Sequence, residues 1–233
     1  MASRRTEFDS ALAKVEQMAQ DAEPYEIEID GKVIPVLPGV FSPKYFSDVD
    51  WFAREIPTIV SKRSLLEIGT GTGVIALFAA LGGARKIVAT DINPVAVKNA
   101  RKTFRLHKVH ADIRCGDVFE AIKPQEKFDI IFWNHPFFCS HAKSRSMLMR
   151  GAFDYKYASL RAFFARAKAH LAPGGEVLLG TSKTARIADI LKLAKEYGYI
   201  ARLLKKETIP SKHHPNTLMD VRLYSFRHKL GKV

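Results

Sequence analysis

The stretch Leu65-Leu66-Glu67-Ile68-Gly69-Thr70-Gly71-Thr72-Gly73 carries an apolar run into a glycine-rich turn that opens a helix. Glycine lets a backbone approach a ligand closely, and a helix N-terminus presents unpaired N–H groups, so such a turn suits a polar small molecule. The glycine spacing narrows the choice. A dinucleotide loop wants glycine at the first, third and sixth positions of the turn. Here the first, third and fifth are Gly69, Gly71 and Gly73, and the sixth is Val74. No Lys-Ser or Lys-Thr pair follows, which argues against a nucleoside-triphosphate loop. Carboxylates close two further apolar runs: Asp91 after Ile87-Val88-Ala89-Thr90, and Asp117 in Gly116-Asp117-Val118. Helix capping is the plainer reading of both. A fourth run, from Phe128 to Trp133, ends in Asn134-His135-Pro136-Phe137, which sets a side-chain amide, an imidazole and an aromatic ring together.

Glu67 two residues before the first glycine, with alternate glycines after it, resembles motif I of class I S-adenosylmethionine methyltransferases. The resemblance continues through Ile87-Val88-Ala89-Thr90-Asp91-Ile92-Asn93-Pro94 and Gly116-Asp117-Val118. It implies that Asp91 takes both ribose hydroxyls of S-adenosyl-L-methionine and that Asp117 faces the adenine amino group. On this likeness Glu67, Gly69, Thr70, Gly71, Gly73, Asp91, Ile92, Asp117, Val118 and Asn134 are the expected cofactor-binding residues. Asn134-His135-Pro136-Phe137 resembles the Asn-Pro-Pro-aromatic motif of amino-group methyltransferases, and these four are the expected catalytic residues. The likeness runs from about Val33 to the end of the chain. It is nearest to the small methyltransferase domain family and the HemK-like protein-glutamine methyltransferases, whose pre-motif segment Pro38-Gly39-Val40-Phe41-Ser42-Pro43, ahead of Asp48 and Asp50, also looks similar. Those relatives methylate the glutamine amide nitrogen or exocyclic amino groups of nucleic-acid bases.

The motif has a physical logic. An amide or aryl amine is a poor nucleophile because its lone pair is delocalised. If the Asn134 side-chain oxygen and the carbonyl of His135 accept both N–H hydrogens, the nitrogen is held towards tetrahedral geometry with its lone pair aimed at the sulfonium methyl. Catalysis is then mostly positioning and charge stabilisation. The Phe137 ring can stack on a planar group. His135 stands where the family usually has proline. Its carbonyl survives, and Pro136 still holds it extended. The imidazole either takes the proton released after transfer or packs beside the site as a tolerated replacement. The departure loosens any transfer of substrate identity and admits a free amine as acceptor.

Elements must position these groups. Apolar spacing predicts a helix over 6–20, a hairpin of strands 25–29 and 32–36 about Asp30-Gly31, and a helix over 49–59. From Ser64 strands and helices alternate: strands at 64–68, 86–90, 113–115, 128–133 and 176–180, helices at 73–81, 94–107, 159–170 and 186–197. Such alternation argues for an α/β fold, a mostly parallel sheet with helices on both faces. Two last strands, 201–205 and 220–226, flank a polar loop with His213-His214-Pro215. The resemblance implies a Rossmann-like seven-stranded sheet whose last strand is antiparallel. The expected division is an N-terminal helix and hairpin extension, 1–55, and a methyltransferase domain, 56–233.

After the motif, Phe138-Cys139-Ser140-His141-Ala142-Lys143-Ser144-Arg145 and then Arg150, Asp154, Tyr155 and Lys156 should border the substrate. The basic residues there hold phosphate or carboxylate, or form a solvated loop. Tyr45, Trp51 and Phe52 either wall the pocket or pack in the core. Residues 1–60 hold 6 basic and 11 acidic residues, net −5, whereas 61–233 hold 31 and 13, net +18. That asymmetry fits a nucleic-acid partner or a basic surface kept soluble by charge. Cys115 and Cys139 have no metal or redox spacing and read as reduced thiols. The adjacent His213 and His214 suit no metal. The longest apolar run, 74–81, is far too short to span a membrane, and no leader is readable, so the expected location is cytoplasmic. The expected activity is S-adenosyl-L-methionine-dependent N-methylation of RNA or ribosomal material or of a protein side chain. The rivals are a small-molecule amine as acceptor and a non-catalytic RNA- or protein-binding subunit.

Overall fold

The computed structural model describes residues 4–212 and 218–228, so the loop with His213, His214 and Pro215 lies outside the described residues. Helix α1 (Arg4–Met18) turns Ala11, Val15 and Met18 inward against Tyr45, Leu148 and Phe153. Strands β1 (Tyr25–Ile29) and β2 (Lys32–Val36) pair antiparallel with Ile29 opposite Lys32. Their turn residues Asp30 and Gly31 both have positive φ, 44° and 71°, as a two-residue hairpin demands. Helix α2 (Asp48–Val60) buries Trp51, Phe52, Ile56 and Val60 completely.

The alternating part then runs β3 (Ser64–Ile68), α3 (Val74–Leu81), β4 (Lys86–Asp91), α4 (Pro94–Leu106), β5 (Asp112–Cys115) and β6 (Phe128–Asn134). Next come β7 (Phe138–Ser140), α5 (Met147–Ala152) and β8 (Phe153–Tyr155). The chain ends with α6 (Ala158–Ala167), β9 (Leu171–Ser182), α7 (Ile187–Glu196), β10 (Tyr199–Pro210) and β11 (Leu218–His228). Seven strands form one sheet in the order β10-β11-β9-β6-β3-β4-β5. The last strand, β11, is antiparallel to both neighbours, as expected, and lies between β9 and β10 rather than at the edge. The segment 138–156, read as bordering the substrate or as a solvated loop, holds β7 and β8, paired in parallel as a small side sheet, with α5 between them.

Every residue of β3 is buried, as a central strand covered on both faces requires. Its side chains alternate between two cores. Leu65 joins Ile130, Phe132 and Leu178 beneath α2, α3 and α4, while Leu66 and Ile68 join Ile131, Trp133 and Val177 beneath α6 and α7. Ile29 and Ile34 of the hairpin belong to the first of these cores. Cys115 and Cys139 are both free. Among the described residues no helix is long and apolar enough to cross a membrane.

Gly73 shows how tightly the turn is seated. Its φ is +82°, and a Cβ there would lie 2.9 Å from the Ala100 Cβ on α4. Gly73→Ala combines a left-handed backbone with overpacking and is expected to cost about 2–4 kcal/mol, measured by urea unfolding.

Candidate active site

Strands β3, β4, β5 and β6 are parallel, so the residues that follow them emerge along one edge of the sheet. Strand order reverses between β3 and β6, and a crevice opens there. One cavity in it is lined by every expected site residue except Gly73, which sits behind the turn against α4.

On one side of the cavity the turn presents bare backbone. Gly69 and Gly71 have φ of 66° and 56°, and a Cβ on Gly69 would come within 3.1 Å of the Trp133 indole nitrogen. The Asp91 carboxylate is pinned at the tip of β4. Its Oδ2 accepts from the Gly71 N–H and its Oδ1 from the Asn93 N–H, each at 2.8 Å. A carboxylate has about four acceptor sites on two side-by-side oxygens, which is the form two adjacent hydroxyls need. Burial raises this carboxyl above its usual value, opposed by the N–H groups of Asn93, Gly71 and Ile92. Asn93 in turn caps α4 by accepting from the Val95 N–H and donates to the Gly39 carbonyl. Asp117 is part-exposed and pairs with Arg150 of α5 at 3.1 Å. Ile92 and Val118 complete the wall.

Glu67 is buried at the end of β3, and the Thr70 hydroxyl donates to its Oε2 at 2.5 Å. Burial pushes its carboxyl up to about 8, with the Thr70 bond and an N–H from Ala76 pulling the other way. In the unliganded protein Glu67 therefore keeps a proton that the unfolded chain has released. Stability from this group is full below the usual value of 4.5 and is lost as pH rises through about 8. Glu67→Gln is expected to flatten that fall between about pH 6 and pH 8, checked by urea midpoints of the unliganded protein.

Asn134 ends β6 on the opposite side of the cavity. Its Nδ2 donates to Asp48 Oδ2 at 2.7 Å, and its Oδ1 is buried with no hydrogen-bond partner among the described residues. A carboxylate only accepts, so Asp48 turns the amide with its NH2 inward and leaves the oxygen as an unused acceptor. Asp48 is itself buried at the first turn of α2, and burial raises its carboxyl, opposed chiefly by the Asn134 bond. The sequence marked Asp48 only as part of a pre-motif segment; its partner stands 86 positions later.

His135 is buried, with Nε2 at 3.1 Å from the Thr181 hydroxyl of β9. Burial pushes its imidazole down to about 3, so the ring is neutral. It packs edge-on against Trp133, Phe137 and Tyr157. Phe137 is half-buried and lines the cavity. The outer wall is Phe41 stacked on Phe46, ring centroids 4.7 Å apart. Tyr45, Trp51 and Phe52 lie in the core instead, and the Trp51 indole donates to Glu207. Asp154, at the substrate border in sequence, is buried and accepts from the first N–H groups of α6, Ser159 and Leu160.

The family described as Methyltransferase small domain matches residues 32–209. A Methanocaldococcus jannaschii protein, provisionally named a protein N5-glutamine methyltransferase, is 32% identical over 189 residues, 79% of this chain and 93% of its own. The ribosomal RNA small subunit methyltransferase C of Mannheimia succiniciproducens is 28% identical over 163 residues, 68% of this chain, and the match takes in only 44% of that protein. The solved T. thermophilus 16S rRNA N2 G1207 methyltransferase, in complex with AdoMet and guanosine, has the same fold, with a TM-score of 0.64 at 23% identity over 88% of this chain and 50% of that one. The glycine turn with its pinned carboxylate and the extent of the family match agree: the chain belongs to the small methyltransferase domain family and is an S-adenosyl-L-methionine-dependent methyltransferase.

Proposed function

We propose that the enzyme methylates a planar nitrogen, an amide or an exocyclic amino group, in RNA or ribosomal material or in a protein side chain. The observation that carries this reading is the orphaned Asn134 Oδ1 beside Pro136 and Phe137, an acceptor held ready for an N–H donor. Cofactor residues on this reading are Gly69, Thr70 and Gly71 along the turn, Asp91 with Ile92 for the ribose, and Asp117 with Val118 for the adenine. Glu67 lies beneath them. When bound, S-adenosyl-L-methionine supplies a methyl group activated by the adjoining sulfonium.

The chain's own residues supply position. Asn134 Oδ1 and the His135 carbonyl accept the two N–H hydrogens of the acceptor and turn its lone pair out of conjugation. Phe137 stacks on the planar group. The neutral His135 ring, tied to Thr181, fixes the loop that carries that carbonyl. An imidazole whose pKa is depressed to about 3 makes a weak base at neutral pH, so positioning fits it better than proton transfer. Residues 1–55 are read as an extension that closes the site from outside, since Phe41, Phe46 and Asp48 all reach it.

The test is methyl transfer from radiolabelled S-adenosyl-L-methionine into a fractionated cell extract, with Asn134→Ala as control. Label is expected in RNA or protein and absent with the variant. Label confined to low-molecular-weight material would overturn the macromolecular acceptor and favour a small amine.

A further inference from the structure

A second concavity opens beside the methyl-transfer cavity. Successive side chains of a strand point to opposite faces, and in β7 Phe138 lines the first cavity while Cys139 lines the second. Tyr157 stands between them. Its hydroxyl donates to the Phe137 carbonyl at 3.4 Å and accepts from the Arg186 N–H at 3.0 Å. Phe137 belongs to the first cavity and Arg186 to the second.

The second concavity is built from cations. Lys156, Arg161, Arg186 and Lys192 line it, with His141 alongside. The carboxylates present are Asp189 and Glu196, and Asp189 is taken by Arg186 at 2.6 Å. Outside the lining, Lys143 adds a further ammonium near Lys156, both 5.3 Å from the centroid of the half-buried Tyr155 ring. The backbone is bent to make this arrangement. Lys156 and Tyr157 are consecutive non-glycine residues with φ of 49° and 54°, held by the Lys156 N–H on the Ser140 carbonyl at 2.8 Å. Left-handed residues of this kind gather at functional sites, where surrounding structure enforces them.

Like charges are brought together here with too few carboxylates to neutralise them, next to the cavity where the acceptor nitrogen is held. Ammonium points and a guanidinium fork with too few carboxylates between them are the chemistry that recognises a phosphodiester chain. We infer that this second concavity holds backbone phosphates of an acceptor nucleic acid whose target base occupies the neighbouring cavity. The inference rests on the nitrogen-methyltransferase reading and narrows its acceptor to the nucleic-acid class.

Two triple variants test it. Lys156→Gln/Arg161→Gln/Lys192→Gln removes three charges from the concavity. Lys98→Gln/Lys102→Gln/Arg105→Gln removes three from the exposed face of α4, on another side of the sheet. The probe is a fluorescent oligouridine, titrated with S-adenosylhomocysteine present at several salt concentrations. The first variant is expected to weaken binding at least about ten-fold and to lower the slope of log Kd against log salt by about 2, at roughly 0.7 per lost phosphate contact. The second is expected to stay within about two-fold of the parent. Cofactor affinity, unchanged in both, reports that each has folded. Equal effects of the two triples, or none from the first, would overturn the concavity as the phosphate site. Labelling in the extract separates the layers: label in protein alone overturns this inference and leaves nitrogen methylation standing, whereas no label in any fraction overturns the reading beneath it.

Discussion

Asn134→Ala is expected to bind S-adenosyl-L-methionine with unchanged affinity and to lose about 10²–10³-fold in kcat, the cost of deleting one preorganised group aimed at the reacting centre. The expectation follows from how its amide is held. The NH2 end is committed to Asp48, and the oxygen has no partner among the described residues. An unpaired buried acceptor costs the folded state about 1–3 kcal/mol, so its persistence needs a reason outside the fold. An N–H donor on the acceptor substrate is that reason. Asp48→Asn sharpens the test. Its new amide can pair with either end of Asn134, so the bias on the amide orientation disappears while shape and volume are kept. This variant is expected to fall between wild type and Asn134→Ala in kcat, roughly two-fold down, because the acceptor oxygen is correctly turned only about half of the time. Single-turnover rates at saturating cofactor read this directly. Near-normal rates in Asn134→Ala would remove the residue from the chemistry, and a rise in acceptor KM alone would recast it as a binding group.

The parts of the site that could be read in the sequence are those where chemistry and element are contiguous. The β3–turn–α3 unit, Asp91 closing β4 and Asn134 closing β6 each sit at the end of an apolar run, and parallel strands bring such ends to one edge. The pieces that escaped have no local signal. Asp48 meets Asn134 across 86 positions of sequence, and only tertiary packing of α2 joins them. Strand β7 has three residues and α5 six, too short for either periodicity to stand out. Arg150, at the substrate border in sequence, is brought by the turn of α5 onto Asp117, a pairing no local pattern marks. Aromatic residues were ambiguous for a plainer reason: Trp51 and Phe52 lie on the core face of α2, while Phe41 and Phe46 lie in the preceding loop, which lines the crevice. The same shortness hid the second concavity, whose cations come from the turn after β8, from α6, and from α7 and its N-cap, and are neighbours only once the β7–β8 pair has formed.

Asp91→Ala is the complementary case and is expected to raise the Kd for both S-adenosyl-L-methionine and S-adenosylhomocysteine by at least about 100-fold. Two hydrogen bonds to a charged acceptor contribute about 1.5–3 kcal/mol each, and both ribose hydroxyls lose theirs at once. A second effect adds to the first. The Asp91 carboxylate also holds the Gly71 and Asn93 N–H groups at 2.8 Å, so its removal unties the turn from β4 before any ligand arrives. Asp91→Asn separates the two effects. It preserves volume and one acceptor oxygen, but its NH2 must face one of the N–H donors that the carboxylate satisfied. Its Kd is expected to rise less than that of the alanine variant. Calorimetry with each ligand decides the matter, since unchanged affinity in Asp91→Ala would break the assignment of the ribose site to β4. Set beside Asn134→Ala, the pattern is crossed. Binding lost with Asp91 and turnover lost with Asn134 would show that the two walls of one crevice, the tips of β4 and β6, divide the work between holding the methyl donor and presenting the nitrogen.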